Sequence, residues 1–465
     1  MNDVARALAD ARSACFWLDS AERPEPQSAL RGDDRADLVV VGGGYTGLWA
    51  ALLAKQADPG RDVLLLEARS VGWAASGRNG GFCSTSLTHG LENGLTRFPD
   101  EMATLEQLGA QNLDAIEKTV REHGIDCAFE RTGELAVATE AHQIDWVRHG
   151  VEQARRFGHD AVFLSAEGVR AELDSPTFLA AGWHRDRVAL VDPARLAWGL
   201  RAACLRLGVR IAENTEVLGV ERDGSGVRLG IEHGTVRAPH AVLATNVFPG
   251  LLRRTRPYVV PVYDYVLTTE PLSGDQLAAL GWRNRQGVSD VGNQFHYYRL
   301  TEDNRILWGG YDAVYHWRNG LRDELDQRPE TFHKLATHFF ATFPQLTGLR
   351  FTHKWGGAID TSTRFFAFQG SALDGRVAYS LGYTGLGVGA SRFGAQVMLD
   401  LLDGRETAAL RLRAVRSRPR PFPPEPLRYA GIELTRRALA RADRRAGRRG
   451  PWLRLLDRLG MGFDS

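Results

Sequence analysis

Asp37-Leu38-Val39-Val40-Val41 is an unbroken apolar run that ends directly on Gly42-Gly43-Gly44-Tyr45-Thr46-Gly47. An alanine- and leucine-rich stretch, Leu48–Gln56, follows. After the break at Pro59-Gly60 a second apolar run, Val63–Leu66, closes on Glu67. This order predicts a βαβ unit with GxGxxG at the strand-to-helix turn and an acid twenty residues after the last glycine. Gly42 is expected to permit the tight turn, Gly44 to let backbone N–H groups reach a pyrophosphate, and Gly47 to bring helix against strand. The helix N-terminus adds partial positive charge. Glu67 is expected to accept hydrogen bonds from both ribose hydroxyls of an adenosine, and its charge would repel a 2′-phosphate, which disfavours NADP.

Composition narrows the alternatives. With 465 residues, 43% hydrophobic and 25% charged, the chain can bury a large core as a globular protein of two intertwined or consecutive domains. A formal net charge of +2 gives no reason to expect nucleic acid as a partner. Lysine occurs only at Lys55, Lys118, Lys334 and Lys354, so few positions can fill a role that needs one. Cys15, Cys83, Cys127 and Cys204 are widely spaced and form neither a CxxC nor a metal-ligand pattern, as expected of a reduced, cytoplasmic protein without a metal. The first thirty residues lack a signal-peptide core, and no run approaches the roughly 18 apolar residues of a membrane span.

Further along, residues 100–123 read as helix, Gly133–Thr139 as strand and Ala194–Leu207 as helix. Val209–Ala212 and Glu216–Glu221 read as strands, with a hairpin through Asp223-Gly224-Ser225-Gly226 and a buried strand at Ala241–Asn246. Between Tyr258 and Lys354 the strands become longer and aromatic-rich, which points to an antiparallel sheet. Nucleotide-type texture returns at Arg376–Leu402. The expected architecture is α/β: a discontinuous Rossmann-type domain with an inserted α+β substrate domain built on an antiparallel sheet. The Rossmann-type parts are placed at 36–95, 166–252 and 353–408. The 96–165 segment is a mainly substrate-domain, helical insertion, 253–352 is the substrate domain, and 409–465 is an arginine-rich tail.

Two segments indicate FAD rather than NAD. Ala75-Ser76-Gly77-Arg78-Asn79-Gly80-Gly81 follows the Glu67 strand, and its small residues let backbone pass close to a flat ring while Asn79 offers a donor and an acceptor. The second, Gly382-Tyr383-Thr384-Gly385-Leu386-Gly387-Val388-Gly389-Ala390-Ser391, precedes a helix expected at Arg392–Leu402. A helix N-terminus aimed at a flavin pyrimidine would stabilise the charge that appears there on reduction. The early turn would then serve the diphosphate and the late turn the ring, provided the two meet in space.

VVVGGGYTGLWAA, ASGRNGG, LVDPARL, AVLATN and GYTGLGVGAS occur in that order across most of residues 36–404. Together they resemble the FAD-dependent D-amino-acid-oxidase-like superfamily, which includes glycine and sarcosine oxidases. ASGRNGG, with VVPVYDYVLTTEPL and RILWGGYD downstream, looks most like the γ-glutamylputrescine oxidoreductase branch. The resemblance implies a Rossmann-type FAD domain roofed by the sheet of a substrate domain, and two-electron oxidation of a C–N bond to an imine that water hydrolyses. The candidate cofactor-binding residues are Gly42, Gly44, Tyr45, Thr46, Gly47, Glu67, Ala68, Ser76, Gly77, Arg78, Asn79, Gly80, Gly81, Val217, Thr245, Gly385, Gly387, Val388 and Gly389. Where sarcosine oxidases grip the substrate carboxylate with a lysine, this chain has Gly389. Where they activate oxygen with another lysine, it reads Ile306-Leu307-Trp308-Gly309. Their flavin-attaching cysteine falls near Ala358, and no cysteine follows Cys204. These departures imply non-covalent FAD and an amine without an adjacent carboxylate, and they leave the acceptor open between oxygen and an electron carrier.

A desolvated aromatic site raises the neutral fraction of an amine. Tyr263, Tyr265, His296, Tyr298, Trp308 and Trp355 are candidates for its walls, each weighed against ordinary packing in a sheet. Among them His296 is a candidate proton acceptor, although hydride transfer needs no base. Period-two alternation sets Tyr263 and Tyr265 on one face, opposite Asp264. The alternatives kept are a D-amino acid, glycine or sarcosine type of oxidase or dehydrogenase, a flavin monooxygenase, and a non-catalytic flavoprotein subunit docking on a partner or membrane. The absence of a late Gly-Asp segment weighs against the monooxygenase. Trp452, Leu455, Leu456 and Leu459 share a helical face flanked by arginines. That face suits either packing on the protein body, the more frequent use, or peripheral contact with an anionic membrane.

Overall fold

The computed structural model describes residues 3–248 and 250–461. Leu38–Val41 and Val63–Leu66 are buried at every position, as strands covered on both faces must be. They lie side by side, in parallel, within a six-stranded sheet of order Phe368–Ala372, Val377–Leu381, His240–Leu243, Leu38–Val41, Val63–Leu66, Arg210–Ala212. Only the edge strand Phe368–Ala372 runs antiparallel to its neighbour. Helices Tyr45–Ala57, Pro193–Arg206 and Gly387–Leu402 fill one face of this sheet with a core that includes Trp49, Leu52, Leu196, Met398 and Leu399. A four-stranded sheet closes the other face, through Val227, Leu229 and Val236 against Val39, Val41, Leu64 and Leu66. This is the Rossmann-type unit, and its strands come from both halves of the chain.

The second unit is built on a nine-stranded, largely antiparallel sheet whose longest strands, Val260–Thr269 and Phe351–Thr361, pair along nearly their whole length. The helix Pro329–Thr342 covers one face with Phe332, Leu335 and Phe339. Glu134–Ala138, Ala161–Ser165 and Ala180–His184 pair antiparallel with one another and join this sheet through a parallel pairing of Glu134–Ala138 with Gly287–Asp290. Sheet membership therefore changes after residue 184, not at the 166 expected from sequence. The helix Gln143–Arg156 and the helix Pro329–Thr342 were not read from the sequence.

The tail lies on the body. Its two longer helices, Leu427–Asp443 and Pro451–Arg458, meet where Trp452 Nε1 donates to Thr435 Oγ1 at 3.0 Å. Asp443 accepts from the Asn293 side chain at 2.6 Å and from the Gln294 backbone at 3.0 Å. The apolar face expected at Trp452, Leu455, Leu456 and Leu459 is split. Leu453 and Leu456 are buried, whereas Leu455 and Leu459 face outward. Among the described residues no helix is long and apolar enough to cross a membrane.

Candidate active site

The helix after the first strand starts at Tyr45, so the third glycine of GxGxxG lies inside its first turn. Gly42 has φ +108°, and a Cβ there would strike the Ala244 carbonyl. One on Gly47 would overlap the Gly42 carbonyl oxygen. Both glycines are required by space. Gly44 at the N-cap has no side chain to offer this helix, and Gly44, Tyr45 and Thr46 at its start line a cavity of about 350 Å³. Of the sequence-predicted residues, Gly42, Gly44, Tyr45, Thr46, Glu67, Ala68, Ser76, Val217 and Thr245 all line that cavity. Trp73, Asn246 and Phe248 join them unpredicted. Trp73 and Phe248 pack at 5.2 Å between ring centres. Both are isolated aromatics beyond the ends of strands, so no pattern singled them out.

Glu67 has a second task. Its Oε2 accepts from Gly43 N–H at 2.6 Å, and its Oε1 accepts from Arg69 N–H and Trp73 Nε1–H, both at 2.9 Å. Burial pushes its pKa up, and these three donors pull it back down. The carboxylate thus staples the turn while it lines the cavity.

ASGRNGG is a single helical turn, Ala75–Arg78, rather than an open loop. Ser76 Oγ accepts from Tyr45 N–H at 2.9 Å, tying this turn to the early one. The Asn79 amide is consumed locally. It donates to the Ala75 and Ser76 carbonyls at 2.9 and 3.1 Å and accepts from Gly81 N–H at 2.8 Å, so it holds no free donor and acceptor for a ring. Arg78 pairs with Asp326 at 2.6 Å. A Cβ on Gly80 would meet the ring of Tyr297, and one on Gly81 would overlap the Val191 carbonyl.

At the far end of the chain, Asp360 terminates the strand from the larger sheet and grips the late turn. Its carboxylate accepts from Gly382 N–H at 2.6 Å and Tyr383 N–H at 3.1 Å. Burial raises this aspartate to about 7 against those donors. Tyr383 then reaches the early turn, where Thr46 Oγ1 donates to its hydroxyl at 3.1 Å. The two turns do meet. The late helix begins at Gly387, five residues before the expected Arg392, and carries no side-chain cap. Gly385 is exposed with φ +87°, Val388 is buried in the core, and a Cβ on Gly389 would overlap the Ser84 carbonyl. Gly389 is thus a helix-to-strand packing position.

The aromatic walls are corrected by the sheet. Tyr263, Tyr265, Tyr298 and Trp308 point into the core under Pro329–Thr342, away from ASGRNGG. His296 stacks on Trp308 at 4.7 Å, its Nδ1 bonded to Asp290 at 2.5 Å and its Nε2 to His338 Nδ1 at 2.9 Å. Neither ring nitrogen is left for a substrate proton. Trp355 alone of that set lies on the inner face, with its Nε1 donating to the Arg78 carbonyl at 2.9 Å. Alternation was read correctly, but the opposite face turns inward. It carries Asp264 and Tyr297, whose hydroxyl donates to Asp264 Oδ2 at 2.5 Å.

A glycine cradle, an uncapped helix terminus and a buried acid one strand over suit the diphosphate and ribose of a dinucleotide cofactor. With a second sheet set against that cradle, they define a flavoprotein oxidoreductase of the two-unit type. The chain belongs to the FAD dependent oxidoreductase (DAO) family, whose model matches residues 37–401, and FAD is its cofactor. It is 32% identical over 408 residues to gamma-glutamylputrescine oxidoreductase of Escherichia coli (strain K12), covering 84% of this chain and 89% of that one. To a probable oxidoreductase OrdL of Rhizobium meliloti (strain 1021) it is 29% identical, over 81% of this chain and 85% of the other. The fold is similar to that of glycine oxidase from Geobacillus kaustophilus, with a TM-score of 0.68 at 21% identity, covering 81% of this chain and 96% of that one.

Proposed function

We propose that this oxidoreductase oxidises a C–N bond of a small-molecule amine to an imine that water then hydrolyses. The observation that carries this reading is the sequence likeness to gamma-glutamylputrescine oxidoreductase along most of both chains. The absence of lysine at Gly389 supports an amine without an adjacent carboxylate, and its absence along Ile306–Gly309 leaves the acceptor open between oxygen and an electron carrier. When bound, FAD supplies a two-electron hydride acceptor. Gly42, Gly44, Tyr45, Thr46 and Ser76 would hold its diphosphate, while Glu67, Ala68, Val217 and Thr245 would hold the adenosine. The uncapped helix at Gly387 and the glycines of ASGRNGG would border its ring. The segments 36–95, 185–252 and 362–408 would form the cofactor domain, with 96–184 and 253–361 over it. All four cysteines are free and buried, which supports non-covalent FAD and a cytoplasmic setting.

Anaerobic mixing of the yellow holoenzyme with a panel of amines and amino acids tests this reading. Bleaching by amines and not by α-amino acids is expected. Bleaching only by glycine or D-amino acids would move the protein to the amino-acid oxidases, which the glycine-oxidase fold also accommodates. Reoxidation in air then separates oxygen from another carrier as acceptor. Acid precipitation should leave the flavin in the supernatant.

A further inference from the structure

Asp264 and Tyr297 lie deep in the protein, yet each keeps accessible surface. Groups surrounded by protein that still keep accessible surface border an internal space. Directly across the strand pair from Asp264 stands Gly357, where a Cβ would meet nothing within 4 Å. The space therefore lies on the inner face of the sheet, the side on which Tyr297 rests against Gly80 of ASGRNGG. Asp264 is held by the Tyr297 hydroxyl at 2.5 Å and by Tyr265 N–H at 2.8 Å. Among the described residues it has no ion-pair partner. The other groups facing it are few. Asp312, beyond the neighbouring strand, is neutralised by Lys334 at 2.7 Å and Arg328 at 3.1 Å. The opposing strand contributes only Gly356, Gly357 and Ala358, and Arg78 is committed to Asp326. A carboxylate with no cation beside it, keeping accessible surface next to the free space at Gly357, lacks the positive charge that would normally accompany it there.

We propose that Asp264, positioned by Tyr297, receives the substrate's ammonium group and takes its proton, so that the neutral amine stands in the site. The proposal rests on the amine reading above. The transfer balances in atoms and charge: an N–H bond of R–CH2–NH3⁺ breaks, an O–H bond forms on the carboxylate, and R–CH2–NH2 remains. Burial already lifts this aspartate to about 6, which makes it a better proton acceptor than a solvated one while it stays ionised at neutral pH.

The test is Asp264→Asn in the holoenzyme, with flavin reduction by n-butylamine and 1,4-diaminobutane followed anaerobically from pH 5 to 10. FAD content is measured alongside and should equal wild type. The wild-type second-order constant should fall below about pH 6 and level off above it. The variant should lose that limb and instead rise about tenfold per pH unit towards the amine's own pKa, lying about 100-fold below wild type at pH 7. Tyr297→Phe should keep the limb and move it. Calorimetry with tert-butylamine, which has no α hydrogen to lose, gives a readout free of turnover. Wild type should bind it without releasing a proton to buffer, and Asp264→Asn should bind it more weakly with release of a proton. Equal pH profiles, equal affinities, or no binding to wild type overturns the proposal and leaves the amine reading standing. Wild type that no amine bleaches overturns both.

Discussion

The two glycine turns share a composition and are held in opposite ways. The early one passes from strand Leu38–Val41 to a helix beginning at Tyr45, and its acid staple, Glu67, comes from the adjacent strand. Every part of it lies within thirty residues. The late turn leaves strand Val377–Leu381 and is gripped by Asp360 at the end of the larger sheet's strand Phe351–Thr361. Its tyrosine then touches Thr46, at the other end of the sequence. One turn is a self-contained binding element. The other is a joint between two sheets, so its geometry follows where the second sheet sits.

Substitutions that separate these roles can be ranked by expected effect. Gly389→Asp forces a side chain onto the Ser84 carbonyl and should cost folding itself, seen as lost soluble yield rather than slow reduction of an intact enzyme. Gly47→Val drives its side chain into the Gly42 carbonyl and should likewise cost soluble yield, with any protein recovered lacking colour. If the late variant is folded and the early one is not, the contrast fails. Glu67→Lys removes the acceptor for Gly43, Arg69 and Trp73 and should weaken FAD retention about 100-fold, read by flavin release on dilution. Full retention would count against Glu67 as a cofactor residue.

Asp360→Asn leaves one of two backbone donors without an acceptor, at a cost of about 1–3 kcal/mol in chemical unfolding, with FAD retained and reduction slowed. The pH dependence adds a sign. The folded form holds the Asp360 proton up to about 7, against 3.8 for an exposed aspartate. Its contribution is therefore most favourable at low pH and is lost as pH rises from about 4 through 7. The asparagine variant should show a flatter stability profile over that window. Arg69→Gln should do least: its pair with Asp323 is exposed on both sides and contributes below about 1 kcal/mol.

The same contrast explains what could be read from the chain alone. Asp37–Glu67 was legible because strand, turn, helix and acid are consecutive and each glycine answers a local steric need. Asp360 was invisible, since nothing nearby announces that its carboxylate will bond two backbone N–H groups twenty residues on. Alternation put Tyr263 and Tyr265 together, but which face meets the cofactor unit depends on the helix Pro329–Thr342, whose phenylalanines claim the aromatic side. Asp264 was legible only as the residue opposite that pair, and nothing local says that its face would turn inward.

The strand Val377–Leu381 sits between His240–Leu243 and the edge strand Phe368–Ala372, in a sheet begun by Leu38–Val41. On the ribosome, therefore, everything before Val377 emerges with an open edge and a cradle missing its far wall. Completion waits for that strand and the turn after it to be made. Flavin can be enclosed only by molecules extended past the late turn, so colour in a preparation reports chains that carry it.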